Sequence, residues 1–562
     1  MLRANYKLGK QSKIGMSATY NSSAKYETVV RDGIETIGYY VQALSMYTVQ
    51  NHLLNTELNG EHLIKPIKLK IKWSGGYGNI EREEPDYRRM YYRKNIVAQS
   101  ELDSFYQAGV VTGSANPAYG GKFYSTLNED IYNASASVSM PFEFLKQKQN
   151  VKTGFYFLKR DRSYDARVLG YIKHNVIKFN NQENPDSIIA LPIEQLFSLS
   201  NIRENGFRLD DITNKSDNYN ANSTLYATYL MFDSKFTEKL RAVWGARAEF
   251  FNQQLNSFNK SGDSVTVNTT SADSSFLPFD LLPSINIIYS IGKNTNIRLA
   301  GSKTVSRPEF RELAPFAFYD FTLSSAVQGN PKLRRTSIYN ADLRLETYPG
   351  KGQIFAMSLF YKKFISPVEQ VIDPSSSGGS RLRTFNNPGT AENFGVELEA
   401  RKNFGFVDKW LETKNFQNLF FNLNIAFIRS NVKLDTIING ASSRNLQGQS
   451  PIVLNAGLGY NQPDGKYSAT VLFNVIGRRI VEVGTEGYFD IYEAPRPILD
   501  FQFSRNIFKN GSIKFSASDI LQKSIILYQD QDLNKKFNAD QDTEIQKTYT
   551  GSTFSISLSY KF

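Results

Sequence analysis

The chain has three histidines, His52, His62 and His174, and no cysteine. None of the histidines sits at a spacing that pairs two ligands on one helix face or completes a Ser/His/Asp constellation. Asp530, Asp532 and Asn534 have the D-x-D-x-N spacing that offers oxygens to Ca²⁺, but Lys535 stands where the loop glycine belongs and Gln541 where the bidentate glutamate belongs. No cofactor and no metal is therefore expected, with those three residues as the weak Ca²⁺ candidate. Two other groups could contact a ligand. Tyr87, Arg88, Arg89, Tyr91 and Tyr92 follow an acidic run of Glu83, Glu84 and Asp86; the cluster reads either as a solvated loop tip or as aromatic platforms with guanidinium donors. Phe316, Phe318 and Tyr319 read either as an aromatic girdle or as a ligand platform. Arg307, Pro308, Glu309, Arg311 and Glu312, just before them, suit local charge pairing where Pro308 ends a strand.

The elements that must position these residues are strands. Phe554, Ile556, Leu558, Tyr560 and Phe562 alternate with Ser555, Ser557, Ser559 and Lys561, and the same period recurs through Leu419–Phe427, Tyr467–Val475, Leu499–Phe503 and Ile513–Ala517. Rows such as Glu397, Glu399, Arg401 and Asp342, Arg344, Glu346 occupy the opposite face, which suits a water-filled lumen better than a packed core. No run approaches the roughly 18 apolar residues of a spanning helix, and the mean hydropathy is −0.40. Aromatic residues make up 13% of the chain, with 40 Phe and 32 Tyr, the ring content a bilayer interface selects. The net charge of +12 comes from interleaved acidic and basic residues with no basic block, so no nucleic-acid partner is expected.

Short turn signals at 462–466, 292–294, 349–352 and 509–511 alternate with long polar segments at roughly 79–122, 165–218, 254–279, 307–335, 371–390, 430–450 and 521–549, as short periplasmic turns and long extracellular loops do. The expectation is all-β: one transmembrane antiparallel barrel over 1–562 with about 19 strands. With an odd count the first and last strands run the same way, so an antiparallel barrel needs an odd number of further strands, most simply about three for a total of roughly 22. The chain also opens directly on strand-like sequence without a signal-peptide pattern, which reads as a C-terminal piece lacking signal peptide, plug and first strands.

Several ordered motifs then carry a resemblance. GEHLIKPIKLKIKWSGGYG with EPDYRR (60–89), IRLAGSKTVSRPEFRELAPFAFYDF (297–321), GNPKLRRTSIYNADLRLE (329–346), ENFGVELEARKNF (392–404), LNAGLGYNQPDGKYSATVLFNVIGRRI (454–480) and YEAPRPILDFQFSRNI (492–507) resemble, in this order, the barrel of Bacteroidetes-type TonB-dependent receptors. The resemblance spans nearly the whole chain. It implies a non-enzymatic receptor in the cell outer membrane that imports a scarce siderophore, corrinoid, glycan or peptide. The implied partners are outer-membrane lipid and lipopolysaccharide, the barrel assembly machinery reading Tyr560 and Phe562, the TonB complex acting through a plug and box that these residues do not include, and a surface lipoprotein. A passive porin-like barrel, a non-functional receptor fragment and a soluble polysaccharide-binding protein are the competing readings.

Overall fold

The computed structural model describes residues 2–35, 38–97, 104–116, 119–144, 146–174, 188–259, 261–270, 279–320, 325–373, 381–413, 416–439, 441–507, 510–531 and 536–561. Among the described residues the main sheet has 23 strands, of which nineteen, each antiparallel to the next, form one continuous wall. They are β1 (Leu2–Leu8), β2 (Ser12–Glu35), β3 (Tyr39–Ile64), β4 (Leu69–Asn95), β5 (Gly120–Phe144), β6 (Gln147–Lys173), β7 (Tyr219–Lys235), β8 (Leu240–Phe258), β9 (Asp280–Gly292), β10 (Thr295–Ser306), β11 (Thr336–Thr347), β12 (Ile354–Ile365), β13 (Thr390–Asn403), β14 (Leu419–Ile438), β15 (Ile452–Asn461), β16 (Tyr467–Ile476), β17 (Arg496–Ile507), β18 (Gly511–Ser518) and β19 (Thr553–Tyr560). Among the described residues β1 pairs only with β2, and β19 only with β18; every residue of both is exposed. Both stand at odd positions in the wall and so run the same way.

Alternation sorts the wall into two faces. Outward stand Trp244, Leu299, Leu343, Leu345, Met357, Phe394, Leu398 and Phe427, all exposed to a degree that water would penalise and hydrocarbon would not. Inward stand charged side chains that neutralise one another: Arg344 reaches Glu346 at 3.0 Å and Glu399 at 2.7 Å, Arg298 reaches Glu346 at 2.7 Å, and Glu129 takes Arg160 at 3.1 Å and Arg162 at 2.5 Å. Among the described residues no helix is long and apolar enough to cross a membrane, and barrels cross with strands.

The wall is lopsided. Strands β2 to β6 run 24 to 27 residues, whereas β15 to β19 run 8 to 12. At about 3.3 Å per residue and a tilt near 45°, 27 residues rise roughly 60 Å, against an apolar band of roughly 25 Å. The tall strands absorb sequence that the polar composition marks as loop. Residues 79–95 belong to β4 and 165–173 to β6, and β2 joins β3 across residues 36–38 alone, so the alternation of short and long connections fails at that first outer turn. In β4 the physical reason is register. Shifts between Thr48 and Gln50, and between Glu84 and Tyr87, exchange the two faces midway and hide the period-two pattern. On the low side two small sheets build the loops: Ala317–Asp320, Ser325–Gln328, Arg381–Asn386 and Glu369–Asp373 form one, and Arg479–Glu482, Ile491–Glu493, Ile525–Gln529 and Thr543–Thr548 the other.

Candidate ligand site at the barrel mouth

Segment 307–335 leaves the wall after β10 and folds inward across the mouth. Arg307 holds it there, reaching Glu249 at 2.9 Å and Asp280 at 2.6 Å, while Arg335 closes on the same Asp280 at 2.8 Å. Gln253 donates from Nε2 to the Pro308 carbonyl at 3.2 Å. The short helix α1 (Phe310–Leu313) carries its own reciprocal cap between Glu309 and Glu312. Phe310, Leu313, Ala314 and Phe316 are buried against Phe123, Tyr219 and Leu255 of the wall, so the segment is packed in place. The returning arm passes Ala314 so closely that a Cβ at Gly329 would lie 2.2 Å from the Ala314 carbonyl oxygen. A side chain there has no room.

Between this segment and the tall wall lies a cavity of about 230 Å³, lined by Tyr47, Glu84, Tyr87, Arg89 and Phe123 of the wall and by Phe318 and Asp320 of the strand Ala317–Asp320. Its rings form a connected row: Tyr47 meets Tyr87 edge-on at 5.0 Å, and Tyr87 meets Phe123 edge-on at 6.4 Å. The Arg89 guanidinium lies 4.8 Å from the Tyr87 ring centre. Glu84 accepts from the Tyr47 hydroxyl at 2.8 Å, Arg82 Nη2 at 2.8 Å and Ser125 Oγ at 3.0 Å, and Asp320 accepts from Arg383 at 3.0 Å. Arg311 stands behind Phe318, its guanidinium 3.8 Å from that ring centre and 4.8 Å from the Phe316 ring centre. Its Nη1 and Nη2 are buried and donate to no group among the described residues. Burial pushes this guanidinium down to about 10. The arrangement can stack a flat or ring-shaped guest and offer it hydroxyl, carboxylate and guanidinium contacts.

The residues singled out from sequence fall in distinct places. Tyr87 and Arg89 line the cavity with Phe318, which joins two groups more than 200 residues apart in the chain. Tyr91, on the same face of β4, stacks on Tyr119 at 4.8 Å within a cluster with Val41 and Ala43. Arg88 and Tyr92 take the outer face, where Arg88 pairs with Asp86 at 2.8 Å and the Tyr92 hydroxyl donates to the Leu191 carbonyl at 2.9 Å. Phe316 is 1% exposed and packs under the inward segment, and Tyr319 pairs through its backbone with Ala326. Tyr47, Phe123 and Asp320 were not signalled by sequence, since each sits in ordinary strand-like surroundings, whereas Glu84 belongs to the acidic run just before Tyr87. Asp530 is buried and ion-paired with Arg478, while Asp532 and Asn534 lie outside the described residues. Among the described residues no cluster of three or more His, Cys, Asp or Glu is placed to hold a metal. Tyr560 ends β19 on its exposed face; Phe562 lies outside the described residues.

A continuous antiparallel wall with lipid-compatible side chains outside and paired charges inside has the construction of an outer-membrane β-barrel. The chain belongs to the outer membrane protein beta-barrel family, whose sequence profile matches residues 193–560. Solved structures share the fold at very low identity. The siderophore receptor PiuA from Acinetobacter baumannii is 10% identical, with 99% of this chain and 78% of that one covered at a TM-score of 0.53. The ferric-catecholate import receptor Fiu from E. coli is 11% identical, with 99% and 78% covered at 0.51. The unliganded ferric citrate transporter FecA is 9% identical, with 99% and 77% covered at 0.51. No curated protein matches. The protein is thus an outer-membrane β-barrel with the fold that these receptors and transporters share.

Proposed function

We propose that this wall serves energised import of a scarce ligand and that the cavity beneath segment 307–335 is a first contact for that ligand. The observation that carries the reading is the convergence of Tyr87, Arg89 and Phe318 on one cavity at the barrel mouth, held by a segment tied into the wall through Asp280. Equidirectional edge strands support a second part of the reading: antiparallel closure takes an odd number of additional strands, and about three would give a lumen of roughly 22 strands that needs a plug to be a gate. TonB would act through that plug. The barrel assembly machinery would read Tyr560 and Phe562, lipopolysaccharide would surround the outer rim, and a surface lipoprotein would deliver the larger ligands.

Uptake by cells carrying the native gene or its deletion tests the proposal, with a panel of ferric catecholate, ferric hydroxamate, corrinoid, oligosaccharide and peptide. Import of one class that stops on adding a protonophore is the expected result, with Tyr87→Ala or Phe318→Ala weakening half-saturation about tenfold, roughly 1.4 kcal/mol. Uptake that continues without the proton gradient would establish the passive porin-like reading instead. Equal uptake by both strains across the panel would sink the receptor reading.

A further inference from the structure

The connection from β13 to β14 is out of scale with its rim. Other connections on that short-turn side run to at most six residues, while 404–418 holds fifteen and includes the helix α2 (Gly405–Leu411). The helix is fastened from behind: the Asp408 carboxylate accepts from Thr413 Oγ1 at 2.7 Å, the Phe416 backbone N–H at 2.9 Å and the Gln417 backbone N–H. What α2 turns outward is apolar, with Trp410 82% exposed, Phe406 55% and Leu411 47%. Three large apolar side chains on two turns, held rigid and left uncovered, need a partner.

The partner follows from continuity with the lipid-facing surface. The outer column of β13 descends from Phe394, opposite Arg429, through Val396, Leu398, Ala400 and Lys402, opposite Phe427, Ile425, Leu423 and Phe421 of β14. Phe404 carries it one step further, its N–H donating to the Leu419 carbonyl, and its ring lies 5.9 Å from the Phe406 ring. The apolar face of α2 therefore extends the hydrocarbon-facing column past the end of the strands, at the depth where indole and phenyl rings favour the headgroup boundary. Lys402 and Lys409 flank it and suit lipid phosphates. We propose that α2 is an interfacial anchor lying in the periplasmic leaflet, with Phe406 and Trp410 sunk between phospholipids.

Fluorescence of Trp410 reads this directly. The full native gene product and its Trp410→Phe variant are placed in phosphatidylglycerol/phosphatidylcholine nanodiscs, and the difference between their spectra isolates Trp410 from Trp73 and Trp244. Heat-modifiable migration on gels establishes that the variant is folded. The expected difference spectrum is blue-shifted from that of water-exposed indole and loses intensity when the lipid carries bromine near the headgroup, more than when bromine lies near the chain end. A difference spectrum at the water-exposed position, insensitive to brominated lipid and quenched by acrylamide, would overturn the anchor and leave α2 as a docking face for a periplasmic protein.

Discussion

Two arginines on the inward segment illustrate opposite charge economies. Arg307 is neutralised by Glu249 and Asp280, and Asp280, with its side chain fully buried, is shared with Arg335. Removing that one carboxylate charge takes away the anion beside Arg335 and leaves Arg307 with Glu249 alone, so Asp280→Asn should lower stability by about 3–5 kcal/mol, seen as a lower temperature for loss of the heat-modifiable form. Arg311 has rings in place of anions. Because burial lowers its folded-state pKa to about 10 while the unfolded chain keeps the ordinary, higher value, the unfolded state holds more protons between those two values. The penalty of charging Arg311 is therefore full at neutral pH and fades only as pH rises above about 10. Arg311→Met should leave the transition temperature unchanged or raise it at neutral pH, and a drop of several degrees would refute the account. At this scale the sequence was partly legible. The types of Tyr87, Arg89 and Phe318 announced contact chemistry, but their meeting depends on a fold-back between residues more than 200 positions apart, which no local spacing records.

At the scale of elements, the inward segment stands or falls with the close pass at Gly329. Gly329→Ala should loosen it, because the added carbon would need the Ala314 carbonyl to move by about an ångström or more, an overpacking that costs about 1–3 kcal/mol. Faster cleavage within 307–335 by protease added to intact cells, with unchanged heat-modifiability of the wall, is the expected outcome; unchanged cleavage would mean that the arms do not depend on this contact. The wall strands themselves were the most readable elements, because lipid outside and water inside impose a strict two-residue period on β14, β16 and β19. Readability failed where the chain rises beyond the bilayer. There both faces of β4 meet water or loops, charges such as Glu84 and Arg88 stand on either side, and the register shift after Glu84 reverses the faces.

For the whole molecule, the number of wall strands was legible from turns and alternation together, since each of the 19 needs a reversal. The odd count turns the proposed completion of the wall into a mass prediction. A native band in outer membranes well above 63.8 kDa that shifts on boiling is expected for a wall completed by further strands and a plug. A band at 63.8 kDa that still shifts would leave an open pore and remove energised import. The unequal strand lengths bear on how the cell surface is seen from outside. Strands β2 to β6 overtop the apolar band by roughly 30 Å, comparable to the sugar layer of the outer leaflet, whereas β15 to β19 end near the lipid headgroups. One flank of the barrel is therefore a parapet of paired strands standing clear of the sugars, and the other meets the outside only through its loop sheets; bound antibody should protect 20–34, 39–50 and 80–95 from added protease before it protects the low strands.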